Sequence, residues 1–327
     1  MTLAGSCSRA TIGLKAVPYA CRRYHASADS LAALNAWIAS PKRLVQYDNF
    51  NSLRLADLYI TLPTRDGIPH SHAPTLPSHP TPFFPPKAGD TVPYGHHLSF
   101  FHPRTPEALL RPDGTDAEFC PPEPFVRRMW AGGRMEWHSP MKVGADACAV
   151  STIAGVEKKG FDAEGKAPMV FVKQQIEIKD SEDSAALPNI IEERTHVYLP
   201  LGLEQRRNLP KPDFSFSYTP TLTTLFRFSA LTFNGHHIHL DKDYAQKLEG
   251  YPERLVHGPL TALMMLETLA FHTPDVRMKT FEYRAVNPVI VNRPCTIKGT
   301  WEDKHTAKLW AEDGDGVVGM TGSLTFD

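Results

Sequence analysis

The sequence predicts an α+β protein in which two long antiparallel sheets are each associated with a central helix. Three observations carry this. One run, Leu260 to Ala270, is apolar on nearly every side. Long segments of alternating or β-branched residues, joined by turn signatures, occur both before and after it. Two strand–turn units also echo one another: Met135-Glu136-Trp137 with Pro140 and Cys148, and Phe281-Glu282-Tyr283 with Pro288 and Cys295. The chain has 327 residues, 42% hydrophobic and 22% charged, which is the make-up of a folded protein. At roughly 150 residues per domain the length predicts about two domains.

In chain order, residues 1–28 carry Arg9, Lys15, Arg22 and Arg23 and no acid; the first carboxylate is Asp29. Basic, hydroxyl-rich and acid-poor composition is that of a mitochondrial transit peptide, so the mitochondrial matrix is the expected location. Ser30 is placed to cap a helix through Leu31, Leu34, Trp37 and Ile38. Residues 63–93 hold nine prolines, from Pro63 to Pro93, a density that forbids helix and central strand alike. His70, His72 and His79 in that loop lack the further ligands a metal site needs, and no metal or other cofactor is expected. Asp113-Gly114-Thr115-Asp116 is a turn signature. Strands are expected at 134–138, 143–156, 169–178 and 192–199.

The second half opens after Pro210 and Pro212, which divides the chain into 29–209 and 210–327. Phe214, Phe216 and Tyr218 alternate, Leu225 to Phe233 is apolar-rich, and 241–249 reads as a short helix capped by Asp241. Pro259 suits the first turn of the buried helix, where its missing N–H costs nothing. Strands at 277–285 and 289–301 and a hairpin at 307–326 around Asp313-Gly314-Asp315-Gly316 complete the chain. A buried helix wrapped by a long antiparallel sheet is the pattern of the hotdog fold. Two in one chain form a double hotdog, whose sheets close one another's open edges. The N-terminal hotdog is expected to be degenerate, its helix replaced or shortened by the proline-rich loop, and a homodimer of such units is a further expectation.

Formal net charge is -1, which gives no footprint for nucleic acid. No stretch approaches the ~20 apolar residues of a membrane span. The five cysteines, Cys7, Cys21, Cys120, Cys148 and Cys295, show no CxxC spacing. They form neither a zinc pattern nor a disulfide framework, and a reducing compartment fits.

The segment Phe228 to Asp241, followed by Val256-His257-Gly258-Pro259-Leu260, carries the chemistry. It resembles the signature of MaoC-like, R-specific hotdog hydratases: aromatic–x–x–Leu–small–Gly–Asp–x–Asn–Pro–aliphatic–His–x–Asp, then a Val-His-Gly turn into the helix. Gly95-His96-His97-Leu98-Ser99-Phe100-Phe101, the 113–116 turn and Pro124 to Gly133 are similar to the fungal mitochondrial 3-hydroxyacyl-thioester dehydratases of type 2. Mesaconyl-CoA and itaconyl-CoA hydratases share much of this pattern. The resemblance implies reversible dehydration of a (3R)-3-hydroxyacyl thioester to the trans-2-enoyl thioester in mitochondrial fatty acid synthesis. The partner is then a substrate on acyl carrier protein or CoA.

By that resemblance His239 is the catalytic histidine and Asn234 stands where the family has an Asp. An amide cannot exchange a proton at neutral pH, so Asn234 can hold water or the β-hydroxyl while His239 carries the acid–base work. The Gly258 N–H, at a helix N-terminus, either donates to the enolate-like oxygen or Gly258 is there for conformation alone. Asp241 orients His239 or caps the next helix, and His257 shapes the turn. His236 and His237 are partners of loop backbone. Arg127-Arg128 and Arg206-Arg207 read as solvated charges or a docking face for the carrier. In the rival reading, a carboxylated enoyl-CoA needs a cation in the pocket, with Arg227 and Arg284 as candidates. A non-catalytic acyl-thioester binding protein is the rival of another class.

Overall fold

The computed structural model describes residues 28–65, 85–125, 127–161, 168–180, 187–198 and 209–327. The basic N-terminal segment up to residue 27, the histidines of the proline-rich loop and Arg206-Arg207 lie outside the described residues.

Helix α1 (Ala28–Ala39) leads into strand β1 (Arg43–Asn49) and helix α2 (Ser52–Tyr59). Ser30 falls inside α1 rather than at its cap. The α2 helix starts where Asn51 accepts a hydrogen bond from the Arg54 N–H at 2.8 Å, satisfying one of the free first-turn donors. Then follow β2 (Arg128–Trp137), β3 (Asp146–Lys159), β4 (Met169–Lys179), β5 (Ile190–Tyr198) and β6 (Phe214–Tyr218). The apolar stretch expected at 225–233 is helix α3 (Leu222–Leu231), started by a reciprocal Thr221–Thr224 capping box. A single turn, α4 (His237–Leu240), and a π-turn at Tyr244–Leu248 precede the long helix α5 (Gly258–His272). Strands β7 (Met278–Ala285), β8 (Cys295–Trp301), β9 (Thr306–Asp313) and β10 (Val318–Phe326) end the chain.

All ten strands join one antiparallel sheet, in the order β1-β3-β4-β5-β2-β7-β10-β9-β8-β6. The two expected sheets are therefore halves of one, fused where β2 pairs with β7. The echoed residues face each other across that seam: Met135 pairs with Phe281 and Gly133 with Tyr283. Arg134 Nε bonds Glu282 at 3.0 Å across the same join. This is the double-hotdog architecture, and the fusion removes the two edges that separate sheets would expose.

Every residue of α5 from Leu260 to Leu269 is buried. Leu263, Met264, Leu266 and Leu269 share a core with Phe281, Leu309 and Leu324. Each such side chain contributes about 1.5–3 kcal/mol on burial. The acid in this stretch, Glu267, is met by Arg65 at 2.6 and 3.0 Å, His96 at 2.9 Å and Thr64 at 2.9 Å. In the first half, the apolar side chains that cover the sheet come from around α2 and a 3-10 turn at His96–Ser99. Leu55, Phe50 and Phe100 pack there against Ala149, Ile176 and Ile178 of the sheet. His97 lies 3.3 Å from Glu192 of β5 and His96 2.9 Å from Glu267 of α5, so the Gly95-His96-His97 motif touches both halves. No helix among the described residues is long and apolar enough to cross a membrane.

Candidate active site

The site is built on the loop that leaves α3. Thr232 closes the helix through its hydroxyl on the Phe228 carbonyl at 2.7 Å. Phe233 then adopts φ +49°, a left-handed backbone that a bulky residue rarely takes without support from its surroundings. The Asn234 N–H returns to the Ser229 carbonyl at 2.8 Å. Its side-chain oxygen accepts from the His236 N–H at 3.0 Å, a local turn that directs the chain into α4.

The 113–116 turn buttresses this loop from the first half of the chain. His237 N–H donates to the Asp113 carbonyl at 2.9 Å. Gly114, at φ +78°, backs onto Gly235 so closely that a Cβ would lie 2.2 Å from the Gly235 carbonyl oxygen. A side chain at either glycine would push the loop away.

The α4 turn delivers His239. Its Nδ1–H donates to the Leu255 carbonyl at 2.8 Å, which leaves Nε2 as the unprotonated nitrogen on the opposite ring edge. Leu255 is held in turn by Ile238 at 3.1 Å, and Val256 by Val289 at 2.8 Å. The His239 ring stacks on His257 with centroids 3.7 Å apart and planes 21° apart. His257 is fully buried and bonds Ser229 Oγ at 2.9 Å through Nε2. Burial, followed by the nearby positive charge of Arg128, lowers the His239 pKa to about 4, against a raising effect from the Leu255 carbonyl. The imidazole is therefore neutral at physiological pH, with a lone pair available. His257 is also pushed well below the usual histidine range, by burial first and then by His239 and His236.

Next to His257, α5 begins at Gly258 with Pro259 in its first turn. The Gly258 N–H has no acceptor among the described residues, and helix N-termini favour negative charge. A Cβ at Gly258 would lie 2.8 Å from Trp130 Cγ. Glycine thus lets the helix start lie flush against β2.

His239, Asn234 and Gly258 line one cavity of about 1190 Å³ together with Trp130, Arg128 and Arg284. Its walls come from both halves of the chain, so the second half alone does not make the site. Several expectations need correction. Asp241 does not orient His239, a task taken by the Leu255 carbonyl; its exposed carboxylate accepts from the Tyr244 N–H at 3.1 Å and caps the π-turn. Arg227 is exposed and lines a separate cleft of about 540 Å³ between α2 and α3, 3.5 Å from the Ile60 carbonyl. Arg284 is exposed where it meets the large cavity. Arg127 is not solvated: it binds Glu249 and, at 2.9 Å, Tyr251. Arg128 turns into the cavity. Nothing in the local sequence separates these two adjacent arginines; the strand alternation that starts at β2 does.

Comparison with known proteins identifies the family of the chain. The family model for hydroxyacyl-thioester dehydratase type 2 matches residues 95–291, from the His96-His97 motif to the strand-entry segment after β7. A mesaconyl-C(4)-CoA hydratase of Chloroflexus aurantiacus is 36% identical over 247 residues, covering 73% of this chain and 85% of that protein. The mitochondrial hydroxyacyl-thioester dehydratase type 2 of Schizosaccharomyces pombe is 31% identical over 252 residues, covering 66% of this chain and 81% of that one. In fold, the chain is similar to a MaoC-like dehydratase from Phytophthora capsici, with a TM-score of 0.59 at 15% identity over 90% of this chain and 97% of the other. With the family model spanning well over half its length, the chain belongs to the hydroxyacyl-thioester dehydratase type 2 family and is a hydro-lyase.

Proposed function

We propose that the cavity performs reversible dehydration of a (3R)-3-hydroxyacyl thioester to the trans-2-enoyl thioester, with His239 as both base and acid. The observation that carries this is the neutral imidazole with Nε2 free, beside an unengaged amide at the start of α5. In the dehydration direction Nε2 takes the proton from Cα, and the electron pair of that C–H bond passes into an enolate. The Gly258 N–H donates to the enolate oxygen. The enolate pair then re-forms as the Cα–Cβ double bond while the Cβ–O bond breaks, and Nε2–H gives its proton to the departing hydroxyl, which leaves as water. A pKa of about 4 makes His239 a weak base but its protonated form a strong acid, which suits the expulsion of hydroxide. Asn234 keeps the loop in place through its carbonyl, and its amide N–H groups are the donors that can hold the hydroxyl or water.

The mitochondrial location of the Schizosaccharomyces pombe relative supports a mitochondrial site of action, as does the acid-free N-terminal segment. On this reading the substrate is carried on acyl carrier protein or CoA within mitochondrial fatty acid synthesis, as the motif resemblance of the 228–260 segment implies. A carboxylated enoyl-CoA is the second reading, supported by the name of the Chloroflexus relative and by Arg128 inside the cavity. The chemistry at Cα and Cβ is the same in both.

The test is hydration of crotonyl-CoA by His239→Gln. Loss of at least a thousandfold in kcat, with an unchanged circular dichroism spectrum, is the expected result. Near-normal turnover by the folded variant rejects the assignment, and binding without any turnover by the wild type favours the non-catalytic reading.

A further inference from the structure

One fully buried histidine beside the site takes no part in the proton transfers. His257 precedes α5 at the N-cap, where Ser, Thr, Asp or Asn usually hold the first free N–H groups of a helix. Its side chain makes no such cap bond. The residue is 0% exposed and forms no part of the cavity wall, although its neighbours Val256 and Gly258 both do. Neither the helix start nor contact with substrate accounts for an imidazole at this position.

What the ring touches is His239. The two rings stack with centroids 3.7 Å apart and planes 21° from parallel. The Leu255 carbonyl holds His239 at Nδ1, 2.8 Å away. A single hydrogen bond fixes one atom of a ring and leaves the ring free to swing about that bond. A surface laid flat against the ring removes this freedom, and Nε2 then points in one direction. His236 meets the same ring at 85° and 5.6 Å, so the flat contact comes from His257.

The platform is itself anchored. His257 Nε2 lies 2.9 Å from Ser229 Oγ, and the Phe228 ring meets the imidazole at 5.1 Å. Ser229 is buried on α3, and its carbonyl accepts from the Asn234 N–H at 2.8 Å. One residue of α3 thus holds the Asn234 loop through its backbone and the platform through its hydroxyl. His257 Nδ1 is buried with no hydrogen-bond partner among the described residues. A charged ring would carry a buried N–H with no acceptor, so His257 stays neutral. Neutrality matters here. Between its two proton transfers His239 is an imidazolium, and a second positive ring stacked on it would repel it.

We propose that His257, pinned by Ser229, is a positioning residue for the reaction: it fixes the plane of the His239 ring and gives the transient imidazolium a neutral aromatic face. The inference rests on His239 as the acid–base residue and adds the pair that aims it. His257 touches no substrate, so its removal lowers the rate of the chemical step and leaves substrate binding as it was. A flat neutral ring can replace it, whereas a flexible amide of similar reach cannot.

The experiment measures kcat and KM for hydration of crotonyl-CoA, with urea midpoints, in the full-length wild type, His257→Gln, His257→Phe and Ser229→Ala. His257→Gln keeps a donor within reach of Ser229 but has no ring. His257→Phe keeps the ring without the bond to Ser229. His257→Gln is expected to lower kcat about a hundredfold with KM within about twofold of wild type, the effect of a reacting group displaced by roughly 1 Å. His257→Phe is expected to recover kcat to within about tenfold of wild type, and Ser229→Ala to lower it about tenfold at unchanged KM. A kcat loss in folded His257→Phe as large as in His257→Gln, or near-wild-type kcat in folded His257→Gln, overturns the inference and leaves His239 as the acid–base residue. Near-normal turnover by folded His239→Gln removes that reading and the inference with it. Should both His257 variants fail to fold, Ser229→Ala decides: the expected kcat loss at unchanged KM supports the proposal, and wild-type kcat rejects it.

Discussion

Replacing Gly258 with alanine tests whether the site depends on contact between the two halves. The added Cβ would lie 2.8 Å from Trp130 Cγ and 2.9 Å from its Cβ and Cδ1. Carbon atoms rest at about 3.5–4.0 Å, so one side must retreat by roughly 0.8 Å. Trp130 has little room, since it stacks on Tyr283 at 6.4 Å and meets the edge of His196 at 5.0 Å. The start of α5 therefore moves, and the Gly258 amide moves with it. Overpacking of this kind costs about 1–3 kcal/mol in stability. A donor displaced by about 1 Å from its working position costs on the order of a hundredfold in rate. We expect a lower urea midpoint together with a kcat on crotonyl-CoA reduced about a hundredfold, followed through loss of the enoyl-thioester absorbance. Wild-type kcat at an unchanged midpoint would refute both the tight contact and the role of the amide.

Acid should unfold the protein readily. The pKa of His239 is held at about 4 and that of His102 at about 3, both chiefly by burial, whereas unfolded imidazoles titrate near 6.5. The unfolded chain thus binds more protons once the pH drops below 6.5, so stability is greatest above that value and falls toward pH 4. These two residues contribute a slope approaching about 2.7 kcal/mol per pH unit within that window. Urea midpoints at pH 7, 6 and 5 measure it, and a pH-independent midpoint contradicts buried neutral imidazoles. Glu267→Leu strands the charge of Arg65 and the bond to His96, and should cost about 3–5 kcal/mol in urea unfolding; a loss under 1 kcal/mol would show that the cluster is not a stabilising contact. Asn234→Asp keeps an acceptor for the His236 N–H and should remain near wild-type stability, while Asn234→Ala loses about 1 kcal/mol. Equal midpoints for the two variants would remove the turn role.

Much of this protein was readable from its residues alone, wherever the information is local. Leu260 to Leu269 is apolar on nearly every side, and such a run satisfies its hydrogen bonds as helix and is stable only when buried, as α5 is. Alternation and β-branching marked β3, β4 and β7, and the His239 motif is contiguous, so it could be matched without any fold. The residues around the reacting centre depend on distance instead. Arg128 and Arg227 are the same residue type, yet strand pairing turns one into the cavity and α3 turns the other into a separate cleft. Asp241 follows the motif as an orienting acid would, but the Leu255 carbonyl reaches His239 first. Trp130 against Gly258 and Gly114 against Gly235 join segments more than a hundred residues apart in the chain. Local periodicity determines which elements form, because it fixes the face that must leave water. Which side chains converge on a cavity is decided only when the β2–β7 seam brings the two halves together, since that choice is made by packing between surfaces and no single segment contains it.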